Sequence, residues 1–220
     1  MSPTYALVFS YLFVFLVIIL ATVLQKVFGM SNNFSRKFIH VGVGNWVVVA
    51  MFLFDNLWLV LIPPASFILL NYLSYRFSLV KAMELEGKNP GTIYYAVSLT
   101  ILTWLTFNAA PFKVLPFVGM LTMTWGDGMA AVIGQKWPTQ VIKSGRTISG
   151  TAAFVGFTLV AVSIYLHLTS DFSTGLILAI SVVAGVAGAV IELVSPRNLD
   201  NLTVPLIVGI GGLIFEMFWL

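Results

Sequence analysis

Asp127 lies in Thr124-Trp125-Gly126-Asp127-Gly128, inside an apolar run, 115–133, that is long enough to cross a bilayer. A carboxylate at membrane depth costs about 3 kcal/mol or more, and such groups are kept where they face a protein-lined cavity with a partner. The segment that follows carries Lys136, Lys143 and Arg146, so a basic loop or a metal is the expected partner. Gly134 is two helical turns beyond Asp127 and on the same face, which puts the carboxylate roughly 10 Å from the helix end. A carboxylate beside basic groups at a membrane boundary suits metal-assisted phosphate handling on a lipid. Arg146-Thr147-Ile148-Ser149-Gly150 then opens the next helix, whose free N–H groups and positive dipole end favour an anion. Thr147 and Gly150 are the expected cradle residues.

Three other clusters carry polar chemistry. Ser35-Arg36-Lys37-Phe38-Ile39-His40 begins the second apolar run, with Asn45 further along it. Arg36 and His40 are four apart and share a helical face, so a guanidinium and an imidazole converge on one anion. An Arg-Lys pair there is also an ordinary headgroup anchor, but an imidazole pointing into a bundle gains nothing from snorkelling. Residues 84–95 combine Gly87, Lys88, Pro90, Gly91 and Thr92 in a turn, with Tyr94 and Tyr95 expected as interfacial aromatics. Glu192 precedes Ser195-Pro196-Arg197-Asn198-Leu199-Asp200-Asn201-Leu202-Thr203. With Asp127, Glu192 and Asp200 make three carboxylates, the ligands that Mg²⁺ accepts alongside phosphate oxygens. Asp200 is alternatively a helix N-cap.

The elements that position these groups follow from composition. Of 220 residues, 59% are hydrophobic and 9% charged, and cysteine is absent. The mean hydropathy is +1.00. Such a chain is an integral membrane protein. Without cysteine there are no disulfides, thiolate catalysis or Cys-ligated metals. The net charge of +3 reports topology and anionic contacts rather than nucleic acid.

Apolar runs at 5–24, 38–54, 57–75, 93–108, 115–133, 151–168, 175–194 and 203–219 predict an all-α polytopic fold of about eight transmembrane helices. The first run has no basic leader or small-residue cleavage site, so an uncleaved span is expected. Lys26, Arg36, Lys37, Arg76, Lys81, Lys88, Lys136, Lys143, Arg146 and Arg197 fall on alternate connections, and only Lys113 lies on the others. The positive-inside rule makes the basic side cytoplasmic and leaves both termini on the non-cytoplasmic side. With no linker, repeat or soluble segment, residues 1–220 read as a single integral membrane domain.

At these residues the chain resembles the membrane-embedded polyprenol kinases, which include dolichol, phytol and farnesol kinases and the CTP-dependent diacylglycerol kinase. The resemblance runs from about Arg36 to Pro205. It is carried by Arg36-Lys37-x-x-His40, by Asp127-Gly128-x-Ala130-Ala131-x-x-Gly134 with its following basic residue, and by Arg146-Thr147-Ile148-Ser149-Gly150-Thr151. Glu192 and Asp200-Asn201-Leu202-Thr203-x-Pro205 are most similar to the phytol kinase branch. The third element often reads Lys-Ser-x-Glu-Gly-Ser in the family, whereas this chain has Arg146 for the Lys and Ser149 for the Glu.

The resemblance implies Mg²⁺-assisted phosphoryl transfer from CTP, or ATP, to the hydroxyl of phytol, geranylgeraniol, farnesol or a polyprenol, with the active site facing the cytoplasm. The implied catalytic and metal residues are Asp127, Asp200 and Glu192, with His40 hydrogen-bonding a phosphate or orienting Asp127. Arg36, Lys37, Lys136, Lys143, Arg146, Thr147, Gly134 and Gly150 are the implied nucleotide-binding residues. The lipid is expected to enter between helices, where Gly185, Gly188 and Ala189 allow close approach or leave a groove. Two alternatives are a cytidylyltransferase making a CDP-lipid and a non-catalytic membrane transporter. Partners are the lipid alcohol and the nucleotide, not nucleic acid, and an oligomer is compatible with the residues.

Overall fold

The computed structural model describes residues 2–77, 90–109, 111–196 and 198–220. The chain is nearly all helix: α1 (Pro3–Phe28), α2 (Asn32–Gly44), α3 (Trp46–Leu53), α4 (Leu57–Phe77), α5 (Gly91–Phe107) and α6 (Pro116–Leu121). A π-helical turn (Thr122–Asp127) joins α6 to α7 (Gly128–Lys136). A hairpin of β1 (Val141–Lys143) and β2 (Arg146–Thr147) leads to α8 (Ile148–Thr169), α9 (Thr174–Val194) and α10 (Asp200–Trp219). Among the described residues, six helices are long and apolar enough to cross a membrane: α1, the joined α2 and α3, α4, α8, α9 and α10. The protein is therefore an integral, multi-pass membrane protein. The apolar α5 has 17 residues, and the π turn interrupts the run from α6 to α7.

Each element follows from local sequence. Helix α1 ends at Gly29, whose φ of +66° is the left-handed cap that glycine adopts freely. Ser31 caps α2 by accepting from the Phe34 N–H, and Thr147 and Ser173 cap α8 and α9 in the same way. Helix α2 starts six residues before the apolar run predicted from 38, so Arg36 and Lys37 lie inside it rather than at its entrance. Among the described residues, the hairpin is the one departure from an all-α fold. Ser144 (φ +54°) and Gly145 (φ +82°) form its two-residue turn, and positive φ at both positions is the geometry that matches strand twist. That turn sits where the sequence suggested only a basic loop.

Packing is close where small residues meet. Helix α10 lies on α6, and a Cβ on Gly119 would come within 2.2 Å of the Pro205 carbonyl oxygen. Helix α8 lies on both α7 and α9. Gly185 and Gly188 serve this contact: Gly188 faces Thr122 and Phe154, and Gly185 faces Val155. Of the two roles expected for these glycines, close approach is the one realised, because α8 and the π turn fill the space beside them. Large apolar side chains such as Phe9, Ile164 and Val183 point outward, as a bilayer-facing surface allows.

Candidate active site

Asp127 closes the π turn and points toward α2. Its carboxylate forms an ion pair with Lys37 Nζ, and both side chains are largely buried. The Asp127 partner is thus Lys37 from α2, not the loop lysines that follow it in sequence. His40 Nε2 lies 3.6 Å from the same carboxylate oxygen and 3.2 Å from the Met123 carbonyl oxygen. The remaining π-turn residues are also held from outside. The Tyr95 hydroxyl is 2.7 Å from Thr124 Oγ1 and donates to the His40 carbonyl at 3.1 Å, while its ring stacks 4.3 Å from the His40 ring. Trp125 Nε1 donates to Asn45 Oδ1 at 3.0 Å, at the junction of α2 and α3. A π turn releases backbone groups from the regular ladder, and such turns recur at functional sites. Here, His40 of α2, Tyr95 of α5 and Asn45 between α2 and α3 engage three successive residues of it, Met123, Thr124 and Trp125.

A second charged group meets the first. Arg146, at the start of β2, donates from Nε to Glu192 of α9 and from Nη2 to Asp200 of α10, each at 3.0 Å. One guanidinium fork spans two carboxylates from different helices. Carboxylate oxygens of Asp127, Glu192 and Asp200 all lie within 4.8 Å of one another. Three carboxylates so close repel strongly unless cations intervene, and Lys37 and Arg146 supply that charge. Two guanidinium nitrogens stay uncommitted among the described residues: Arg36 Nε and Arg146 Nη1 are buried without a hydrogen-bond partner. Buried donors are normally paired, so these two N–H groups are available to an acceptor. Thr151 Oγ1 at the first turn of α8 is in the same state.

Other expected ligands are placed differently. Lys136 is exposed and lies 4.6 Å from the centre of the Trp137 ring, and Lys143 is exposed on the hairpin. Neither meets the carboxylates. Thr147 Oγ1 accepts from the Gly150 N–H at 3.1 Å, so those cradle groups already satisfy one another. Gly134 and Gly150 make the α7–α8 crossing possible: a Cβ on Gly134 would sit 2.9 Å from Thr147 Oγ1, and one on Gly150 would sit 3.0 Å from the Ala130 oxygen. Both glycines therefore serve the close α7–α8 crossing. Ser149 bonds to the Trp137 carbonyl and the Thr139 hydroxyl, fastening the hairpin base. The expected residues Lys81, Lys88 and Arg197, with 84–89 of the second cluster, lie outside the described residues.

Sequence reasoning missed three participants. Tyr95 is buried rather than interfacial, because its hydroxyl finds Thr124 inside the bundle. The buried Glu216 of α10 accepts from the Val114 and Leu115 N–H groups at 3.0 and 2.8 Å, holding the start of α6. Asn71 of α4 donates to the Thr92 carbonyl at 3.0 Å, tying α4 to α5. For Glu216 a signal existed: an acidic residue in an apolar helix needs a partner.

A cavity of about 330 Å³ opens from the charged group. Arg36, Lys37, His40, Asp127 and Asp200 line its polar end, and side chains of α1, α2, α4 and α5 line much of the rest. A multi-pass membrane protein with a charge-dense buried centre and an apolar cavity leading to it is the class that this architecture defines. The chain is 30% identical over 194 residues, 86% of its length and 82% of the relative's, to a protein of Synechocystis sp. named phytol kinase. It belongs to the polyprenol and phytol kinase family. No protein-family model matches the chain. No solved structure matches it.

Proposed function

We propose that the protein is a kinase that transfers the γ-phosphoryl group of a nucleoside triphosphate, CTP or ATP, to the hydroxyl of a membrane isoprenoid alcohol such as phytol, geranylgeraniol, farnesol or a polyprenol. The observation that carries the reading is the meeting of three carboxylates with two arginines that keep buried, uncommitted N–H groups, at the head of an apolar cavity. The family supports the reaction class, and the phytol kinase relative supports the isoprenoid acceptor.

The donor set fits Mg²⁺, a hard cation that takes carboxylate and phosphate oxygens. Asp127, Glu192 and Asp200 are its candidate ligands, and it would neutralise charge on the transferring phosphate. Arg36, Lys37 and Arg146 bind the phosphates. In the structure Lys37 and Arg146 rest on the carboxylates, and nucleotide arrival lets these cations exchange partners. Either Asp200 or Glu192 can serve as the base instead of a metal ligand; of the two, only Asp200 lines the cavity, so Asp200 accepts the alcohol proton while Asp127 and Glu192 would keep the metal. The alcohol oxygen bonds to the γ-phosphorus, the bond to the bridging oxygen breaks, and the nucleoside diphosphate leaves. His40, held by the Met123 carbonyl, lies beside the Asp127 carboxylate and orients it.

On this reading the chain makes eight crossings, counting α5 and the run from α6 to α7, with the site on the cytoplasmic side and both termini opposite, and the distribution of basic residues supports that orientation. The test is purified protein with Mg²⁺ and γ-labelled CTP or ATP, offered phytol, geranylgeraniol, farnesol and a polyprenol. Label in the lipid with release of the nucleoside diphosphate is expected. Pyrophosphate release instead identifies a cytidylyltransferase, and label in none of the alcohols overturns the reading.

A further inference from the structure

The cavity at the charged centre is not closed on all sides by the described residues. Helices α1 and α4 meet near their middles, where the Tyr11 hydroxyl lies 2.9 Å from Ser66 Oγ and the Tyr11 ring lies 6.1 Å from that of Phe67. From there toward Arg36 the walls become those of the cavity: Val14 and Ile18 of α1, and Phe67 and Leu70 of α4, with Leu99 of α5 behind them. Phe15 and Leu70 line the cavity and are also exposed on the outer surface, so this stretch opens sideways toward the bilayer. The other end of the same space holds Lys37, His40 and Asp127. Leu99 lies eight residues beyond Gly91, and Phe67 seven before Ser74, so the space extends roughly 10–12 Å along the bundle.

We propose that the gap between α1 and α4 is the portal through which the lipid alcohol enters from the bilayer, with the Tyr11–Ser66 contact marking its far edge. This rests on the kinase reading for the identity of the occupant. An amphiphile with one polar end and a long hydrocarbon chain matches a space with charged groups at one end and aliphatic and aromatic walls at the other. The alcohol-proximal part of the chain fills the groove, and the remainder passes between Phe15 and Leu70 into the bilayer. The site therefore reads the branching nearest the hydroxyl and tolerates different tail lengths. The apolar groove between α9 and α10, lined by Ile180, Val183 and Phe215, reaches none of the charged groups and has no such role.

A geranylgeraniol analogue with a photoreactive diazirine in its chain, irradiated with the wild-type protein in lipid nanodiscs, tests this directly. Adducts on Phe15, Ile18, Phe67 or Leu70, competed by unlabelled geranylgeraniol, are expected. Adducts on α9 and α10 instead overturn the portal. In parallel, Leu70→Trp narrows the mouth. Overfilling of this kind should lower kcat/KM for geranylgeraniol roughly tenfold or more and lower that for short dimethylallyl alcohol far less, so the ratio of the two shifts. Equal rates with both alcohols in the variant and the wild type also overturn it. Competed adducts in the portal from a protein that phosphorylates no alcohol would keep the portal and reject the kinase reading.

Discussion

Replacing Arg146 by Met removes the cation between Glu192 and Asp200 and keeps most of the side-chain volume. Both ion pairs, at 3.0 Å, go, and the three side chains are each no more than 14% exposed. Breaking a buried pair by removing one partner costs about 3–5 kcal/mol, mostly from the carboxylates left uncompensated. At about 2–4 °C per kcal/mol for a chain of this size, the unfolding midpoint in detergent falls by roughly 6–20 °C. The same loss should sharpen the response to Mg²⁺. At the proposed Mg²⁺ site, a divalent ion would compete with the Arg146 guanidinium for Glu192 and Asp200 in the wild type, whereas in the variant these carboxylates would be open to it. Mg²⁺ at a hundred times its dissociation constant then restores about 2.7 kcal/mol. The assay is thermal unfolding of both proteins across a Mg²⁺ titration, with a chelator as baseline. Equal Mg²⁺ shifts in the two proteins would refute Arg146 as the counter-charge of this group. A variant midpoint matching the wild type without Mg²⁺ would refute the buried character of the pairs.

Tyr95→Phe removes the hydroxyl that bridges Thr124 and the His40 carbonyl. It should lower kcat about tenfold through displacement of the π turn, with the nucleotide KM unchanged, as steady-state kinetics would reveal. Gly150→Ala forces a Cβ against the Ala130 oxygen and should destabilise the α7–α8 contact by about 1–3 kcal/mol, whereas Gly156→Ala, with nothing within 4 Å, should be neutral or stabilising in the same unfolding assay. Glu216→Gln leaves one of two backbone N–H groups facing an amide that cannot accept from it. A loss of about 1.5–3 kcal/mol is expected, read as a lower unfolding midpoint, with kcat at low temperature unchanged because Glu216 is at the far end of α10 from Asp200.

Much of the membrane architecture is a local property and could be read without coordinates. An apolar run of about twenty residues forms a helix in a bilayer because its backbone groups have no other partners there. The predicted runs accordingly lie within a few residues of α1, α4, α5, α8, α9 and α10. The acidic residues stood out for a related reason, since a carboxylate in an apolar helix is expensive enough to need explaining. Asp127 was conspicuous on that ground, and Glu216 should have been. The hairpin was also legible in principle, because Ser144-Gly145 after Val141-Ile142-Lys143 is a turn signal.

Partnership was not local. Lys37 and Asp127 are 90 residues apart, and Arg146 meets carboxylates 46 and 54 residues away. No spacing rule selects Lys37 over the nearer Lys136, since both are cations on the same expected face. The choice is made by α2 packing against α7 and the π turn, which brings one ammonium inside while leaving the other at the surface. Likewise, a Gly in α7 or α8 reads equally well as a phosphate contact or a crossing point until the two helices are placed in contact. The amino-acid sequence by itself determined an all-helical membrane protein with costly carboxylates and a basic side, because hydrophobicity and charge act residue by residue. Only the tertiary structure decided which cation neutralises which carboxylate, and which side chains of α1, α2, α4 and α5 line the cavity beside them, because those outcomes depend on how distant helices pack.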